Sequence, residues 1–128
     1  PLQVVGFRGF TTYVYDEEHV QYPGNLADCT ACHGSSGYQL PLDSSELGTT
    51  IDTGEDQFSP VDDVVISPQS AACYSCHEND TSKAHMEQNG GAFSTTQAAL
   101  DAGEVAETCE VCHGSGRSAD VDLVHGLD

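Results

Sequence analysis

Cys73-Tyr74-Ser75-Cys76-His77 decides the reading of this chain, because the pattern returns as Cys29-Thr30-Ala31-Cys32-His33 and Cys109-Glu110-Val111-Cys112-His113. The three copies use all 6 cysteines. Two thiols at this spacing can add across the two vinyl groups of one porphyrin edge, and the adjacent histidine then lies under the iron as its proximal ligand. Cys29, Cys32, Cys73, Cys76, Cys109 and Cys112 are therefore expected to attach three covalently bound haem c groups, with His33, His77 and His113 as proximal ligands. Competing chemistries fit less well. A thioredoxin-like redox site needs one such pair on a βαβ scaffold. Structural zinc joins two pairs and would leave the third over. A disulfide inside each pair would be strained by its short loop.

The remaining histidines bear on the ligation. Of the 6 in the chain, His19, His85 and His125 are left, and three irons each lack one axial ligand. A count that closes points to bis-histidine ligation. Met86, the 1 methionine, is expected as a packing residue. If helix ran on from His77 to His85 the eight residues would rise about 12 Å, whereas two nitrogens across one metal lie about 4 Å apart. His85 is thus expected at a different haem from His77. For His125 both its own and another haem stay open. Irons with two histidine ligands have no free position for substrate, so the chemistry expected is electron transfer at low potential, through a wire segment or carrier.

At 128 residues the chain is expected as one domain spanning 1–128. It has no Trp, 5 Tyr and 4 Phe, too little for a large side-chain core, and haem would fill the interior. The fold expected is a small multihaem cytochrome c fold, haem-cored and mostly irregular, with short helices and a small N-terminal β element. Leu2 to Phe7 and Phe10 to Tyr15 read as two strands or a hairpin within 1–15. The Gly-, Ser-, Asp- and Thr-rich stretch 35–68 reads as a long surface loop with little regular structure. Helices are expected from Ser67-Pro68 into the second motif, from about Ser82 to Gln88, and once or twice between Thr95 and Cys112.

Arg8, Lys83 and Arg117 face 21 Asp and Glu, a formal net charge of −18, which excludes a nucleic-acid partner. A solvated acidic surface is the plainest account; a saline medium, or steering towards cations and mineral, are the sharper ones. Asp52, Glu55 and Asp56 around Gly54, or Asp62 and Asp63, offer oxygens to Ca²⁺, but their spacing matches no known loop and exposed carboxylates are the better reading. No apolar run approaches membrane-spanning length. Pro1 in place of Met reads as a processed N-terminus. Haem is attached to cysteine outside the cytoplasm, so an exported protein is expected, extracellular or at the cell surface, with the periplasm as alternative.

The run Ala71 to His77 followed by Lys83-Ala84-His85-Met86-Glu87-Gln88-Asn89-Gly90-Gly91 resembles the haem segments of the outer-surface multihaem cytochromes of metal-reducing bacteria, the OmcA/MtrC family. So do Tyr22-Pro23-Gly24-Asn25-Leu26, and Glu107 to Gly114 leading to Val124-His125-Gly126. The similarity runs from about Asp16 onward. It implies extracellular electron transfer by bis-histidine c-type haems, supports His19, His85 and His125 as distal ligands, and suggests other multihaem cytochromes and metal or mineral acceptors as partners. The chain departs from the family in size, since its members carry more haems on several domains. In economy it also resembles the subunits of cytochrome filaments, and the strand Leu2 to Phe7 can add to the sheet edge of another copy or fold back as an internal hairpin. A terminal reductase of metal ions or another small acceptor is the alternative function. An acidic metal-storing module whose haems are incidental is a third.

Overall fold

A computed structural model of the chain describes residues 2–6, 9–15, 24–34, 37–43 and 45–127. The N-terminal β element is a hairpin in which β1 (Leu2–Val5) pairs antiparallel with β2 (Thr12–Tyr15), Leu2 opposite Tyr15 and Val5 opposite Thr12. β-branched residues favour the pleat, and Gly9, at φ +85, supplies the left-handed residue the connection needs. Helix α1 (Thr30–His33) follows, carrying the first motif.

The stretch 35–68 departs from the loop expected of it. It contains β3 (Thr49–Asp52), a 3-10 turn (Pro60–Asp62) and β4 (Val64–Ile66). With β5 (Thr95–Thr96) these strands form an antiparallel sheet in the order β3-β4-β5. A bulge between Thr50 and Asp52 shifts the register of β3 on β4. The β-branched run Val64-Val65-Ile66 drives this pairing, and the surrounding Gly, Pro and Asp punctuation hid it. Those residues build the turn instead: Asp62 accepts from the amides of Glu55 (2.7 Å) and Asp56 (3.1 Å), and Asp52 from Gly54 (2.9 Å). Asp63 accepts from the Thr50 hydroxyl at 2.9 Å. Four of the five carboxylates considered for Ca²⁺, those of Asp52, Asp56, Asp62 and Asp63, thus hold backbone amides or a hydroxyl, and among the described residues no group of three or more His, Cys, Asp and Glu is placed to hold a metal ion.

Helix α2 (Pro68–Tyr74) opens after Ser67 with Pro at its first position and ends inside the second motif. Helix α3 (Asp80–Gln88) begins two residues before the expected start, because the Asn79 side chain caps it by accepting from the amide of Ser82 at 3.0 Å. Between α2 and α3 the helix is broken, so His77 and His85 do not lie on one continuous helix. Helices α4 (Gln97–Asp101), α5 (Glu110–His113) and α6 (Val121–His125) complete the chain.

Among the described residues the buried hydrophobic core is Val65 and Met86 alone. Small buried polar groups, Ser67, Ser70 and Gln97, fill in around it. Such an interior cannot by itself offset the entropy of ordering so long a chain. Among the described residues no helix is long and apolar enough to cross a membrane.

Candidate functional site

Each motif adopts the same local backbone. The carbonyl of the leading cysteine accepts from the amides of the second cysteine and of the histidine: Cys29 from Cys32 (3.2 Å) and His33 (2.9 Å), Cys73 from Cys76 (3.2 Å) and His77 (3.0 Å), Cys109 from Cys112 (3.2 Å) and His113 (2.8 Å). One helical turn so closed puts positions i, i+3 and i+4 on one face, so both thiols and the imidazole of a motif share a side. All six cysteines are free. Burial and the nearby Glu107 carboxylate push the Cys109 thiol up to about 11, and the same two causes raise Cys73. Neither is the acidified thiol that a redox nucleophile needs.

The structure brings four of the six histidines together in two pairs. The His77 and His125 rings lie near-parallel with centroids 6.2 Å apart, and the rings of His85 and His113, set edge-on, are also 6.2 Å apart. Two imidazoles bound on opposite sides of one metal, each nitrogen about 2 Å from it, have centroids about 6 Å apart. The pairing crosses between motifs: the histidine after the second motif meets the third, and the histidine after the third meets the second. His33 closes the first motif on an exposed face. The expected distal ligand His19 lies outside the described residues.

Three anchors produce the crossing. Glu107, just before the third motif, caps α2: its carboxylate accepts from the hydroxyl of Ser67 (2.8 Å), the amide of Gln69 (2.9 Å), and the amide and hydroxyl of Ser70 (2.7 and 2.6 Å). The Asn89 carbonyl, at the end of α3, accepts from the amide (3.0 Å) and hydroxyl (3.2 Å) of Thr108, which fixes His85 relative to Cys109. Glycine is required here, since a Cβ on Gly90, at φ +91, would strike the Ala106 carbonyl. Finally the Ala119 amide donates to Cys112 (3.1 Å) and its carbonyl faces Nδ1 of His113 (2.9 Å), which sets where α6 begins. Asp122 of α6 reaches back towards the first motif by accepting from Gln39 (3.4 Å), and as hydrogen-bond partner it pushes the Tyr38 phenol up to about 12.

Sequence reasoning missed Glu107 and Thr108. Their acceptors and donors lie up to 40 residues away, beyond any local signal; the one hint is a carboxylate two positions before a motif.

The donor set fits haem. His125 keeps Nδ1 buried with no hydrogen-bond partner among the described residues. A shallow cavity lined by Asp80, Thr81, Ala84, His85 and Gln88 opens beside the second pair. Val111, Leu123 and Val124, which neighbour His113 and His125 in sequence, are 62%, 57% and 56% exposed, apolar area of the kind a porphyrin face covers.

A family model described as outer membrane cytochrome MtrC/MtrF-like, domains II/IV, matches residues 8–126. No curated protein and no solved structure matches.

Proposed function

The chain belongs to the family of outer membrane cytochromes of the MtrC/MtrF-like domain II/IV type, and on that premise we propose that it is a three-haem relay for electron transfer at or outside the cell surface. The observation that carries the reading is the pair of crossed imidazole contacts, each at 6.2 Å. Cys29 and Cys32, Cys73 and Cys76, and Cys109 and Cys112 would hold one haem each, with His33, His77 and His113 as proximal ligands. His125 would then serve the haem of the second motif and His85 that of the third. His19 is left for the first. Bound haem supplies an iron that changes oxidation state by one electron.

The residues of the chain do the rest. His113 presents Nε2 because its Nδ1 is engaged with the Ala119 carbonyl. The Glu107 and Thr108 anchors keep the second and third motifs at a fixed separation, so a single rigid hub supports the path between their haems. With two histidines held for each iron, the chain would favour relay over substrate reduction. The β1–β2 hairpin, with Val4 45% and Val5 58% exposed, supports end-to-end association of copies or with other multihaem cytochromes, because unpaired strand edges template pairing. Metal ions or mineral would be the terminal acceptors.

The test is intact mass and visible spectroscopy of protein matured in a host that attaches haem c. Three haems per chain with a low-spin spectrum are expected, and Cys→Ser changes in one motif should remove one haem each. Fewer than three haems, or a dominant high-spin spectrum, would overturn the reading. Electron microscopy of the same sample separates filaments from discrete particles.

A further inference from the structure

The two histidine pairs share a distance and differ in orientation. The planes of His77 and His125 meet at 28°, whereas those of His85 and His113 meet at 83°. The crossed arrangement has a local cause. Nδ1 of His113 faces the Ala119 carbonyl at 2.9 Å, an in-plane contact that stops the ring from turning about its bond to the chain. Ala119 is itself tied to the motif by its amide, which donates to the Cys112 carbonyl at 3.1 Å. Among the described residues His125 has no such restraint, since its Nδ1 is buried with no hydrogen-bond partner there.

Orientation matters to a low-spin ferric ion because an imidazole donates π density from the orbital perpendicular to its ring. Two parallel rings act on the same metal d orbital, raise it above its neighbour and quench orbital motion. Two perpendicular rings act on one orbital each, leave the pair close in energy and preserve it. Axial-ligand arrangement is among the levers a protein has on haem. Resting on the bis-histidine reading above, we infer that the chain sets this lever to two different positions: near-parallel ligands at the second motif and crossed ligands at the third, with the Ala119 carbonyl as the positioning group. Motifs of the same local backbone thus make electronically distinct centres.

Low-temperature electron paramagnetic resonance of the fully oxidised holoprotein reads this directly. At least one strongly anisotropic low-spin signal, with a single broad low-field feature, and at least one rhombic signal with three resolved features are expected. His85→Ala should remove one anisotropic signal, and His125→Ala one rhombic signal. Ala119→Pro, which deletes the amide that anchors the carbonyl, should shift an anisotropic signal and leave the rhombic intensity in place; an unmoved anisotropic signal would overturn the positioning role. Rhombic signals alone in the unaltered protein would overturn the inference while leaving bis-histidine ligation intact. A high-spin spectrum in the unaltered protein would instead overturn the ligation itself. If a variant fails to mature, the spectrum of the unaltered protein still decides between these outcomes.

Discussion

Glu107→Ala removes a single carboxylate that four donors share, two backbone amides and two hydroxyls at 2.6–2.9 Å. The hydroxyls belong to Ser67 and Ser70, which are 0% and 1% exposed, so water replaces the lost acceptor poorly there. The amides of Gln69 and Ser70 lie at the start of α2 and rehydrate more easily. A hydrogen bond to a charged group contributes about 1.5–3 kcal/mol, and losing a helix cap costs about 1 kcal/mol. With partial rehydration the expected loss is about 3–5 kcal/mol, a large share of the roughly 5–15 kcal/mol that holds a typical domain together. At a guanidinium m-value of about 4 kcal/mol/M, the unfolding midpoint should fall by about 1 M. Glu107→Gln keeps the shape and one acceptor oxygen and should lose about half as much. Denaturation of the holoprotein followed in the Soret band measures both. A Glu107→Ala midpoint within about 0.2 M of the parent would show that the carboxylate does not bind the two motifs together.

Salt should stabilise the protein. With 3 basic against 21 acidic residues, and with the ion pair Lys83–Glu87 at 3.8 Å, repulsion among carboxylates dominates, and the Debye length shrinks from about 30 Å at 0.01 M to about 3 Å at 1 M. Thermal midpoints should rise steadily over that range; a flat or falling profile would count against it. Gly90→Ala should cost about 2 kcal/mol or more and Gly103→Ala about 1 kcal/mol, because both have positive φ but only Gly90 has a backbone carbonyl where the Cβ must go. Equal losses on chemical denaturation would argue against the close approach of α3 to Ala106. Amides of Asp56 and Glu55 hold the Asp62 carboxyl below its usual range, so it stabilises the fold at neutral pH and that contribution fades as pH falls through the lowered value. The thermal-midpoint gap between the parent and Asp62→Asn should therefore be present at pH 7 and close below about pH 4; a gap that widens in acid has the wrong sign. Asp120 accepts from the amides of Asp122 (3.0 Å) and Gly116 (2.5 Å), so Asp120→Ala should fray α6 at a cost of about 1 kcal/mol. Because α6 ends in His125, the spectral change should appear at the haem of the second motif; a change confined to the third would contradict the crossed pairing.

What was legible in the sequence is what local chemistry dictates. Cys-x-x-Cys-His needs one turn of helix and nothing from elsewhere, so its three copies could be read without knowing how the chain folds. The helix start at Ser67-Pro68 was visible for the same reason, and the two-residue difference at α3, expected from about Ser82, comes from the Asn79 cap. Strand β4 was hidden because Val64-Val65-Ile66 is shorter than a strand signal usually is and sits among turn residues. Its partner β3 is exposed along its whole length, so no alternation marked it.

The partner of each histidine was harder, and for a physical reason. Counting could say that three irons need His19, His85 and His125, but the choice of partner depends on contacts that no periodicity records: Glu107 reaching α2, Thr108 reaching Asn89, and Ala119 reaching Cys112 and His113. These contacts join segments that the sequence keeps apart, and they compensate for a core that among the described residues comes down to Val65 and Met86. With so little apolar packing, the segments around the second and third motifs can be fixed only by polar anchors and by ligands shared across them. On the proposed crossed ligation, releasing the iron of the second motif would free α6 from that motif and releasing the iron of the third would free α3 from the third motif, so haem attachment and folding around these two motifs should be coupled.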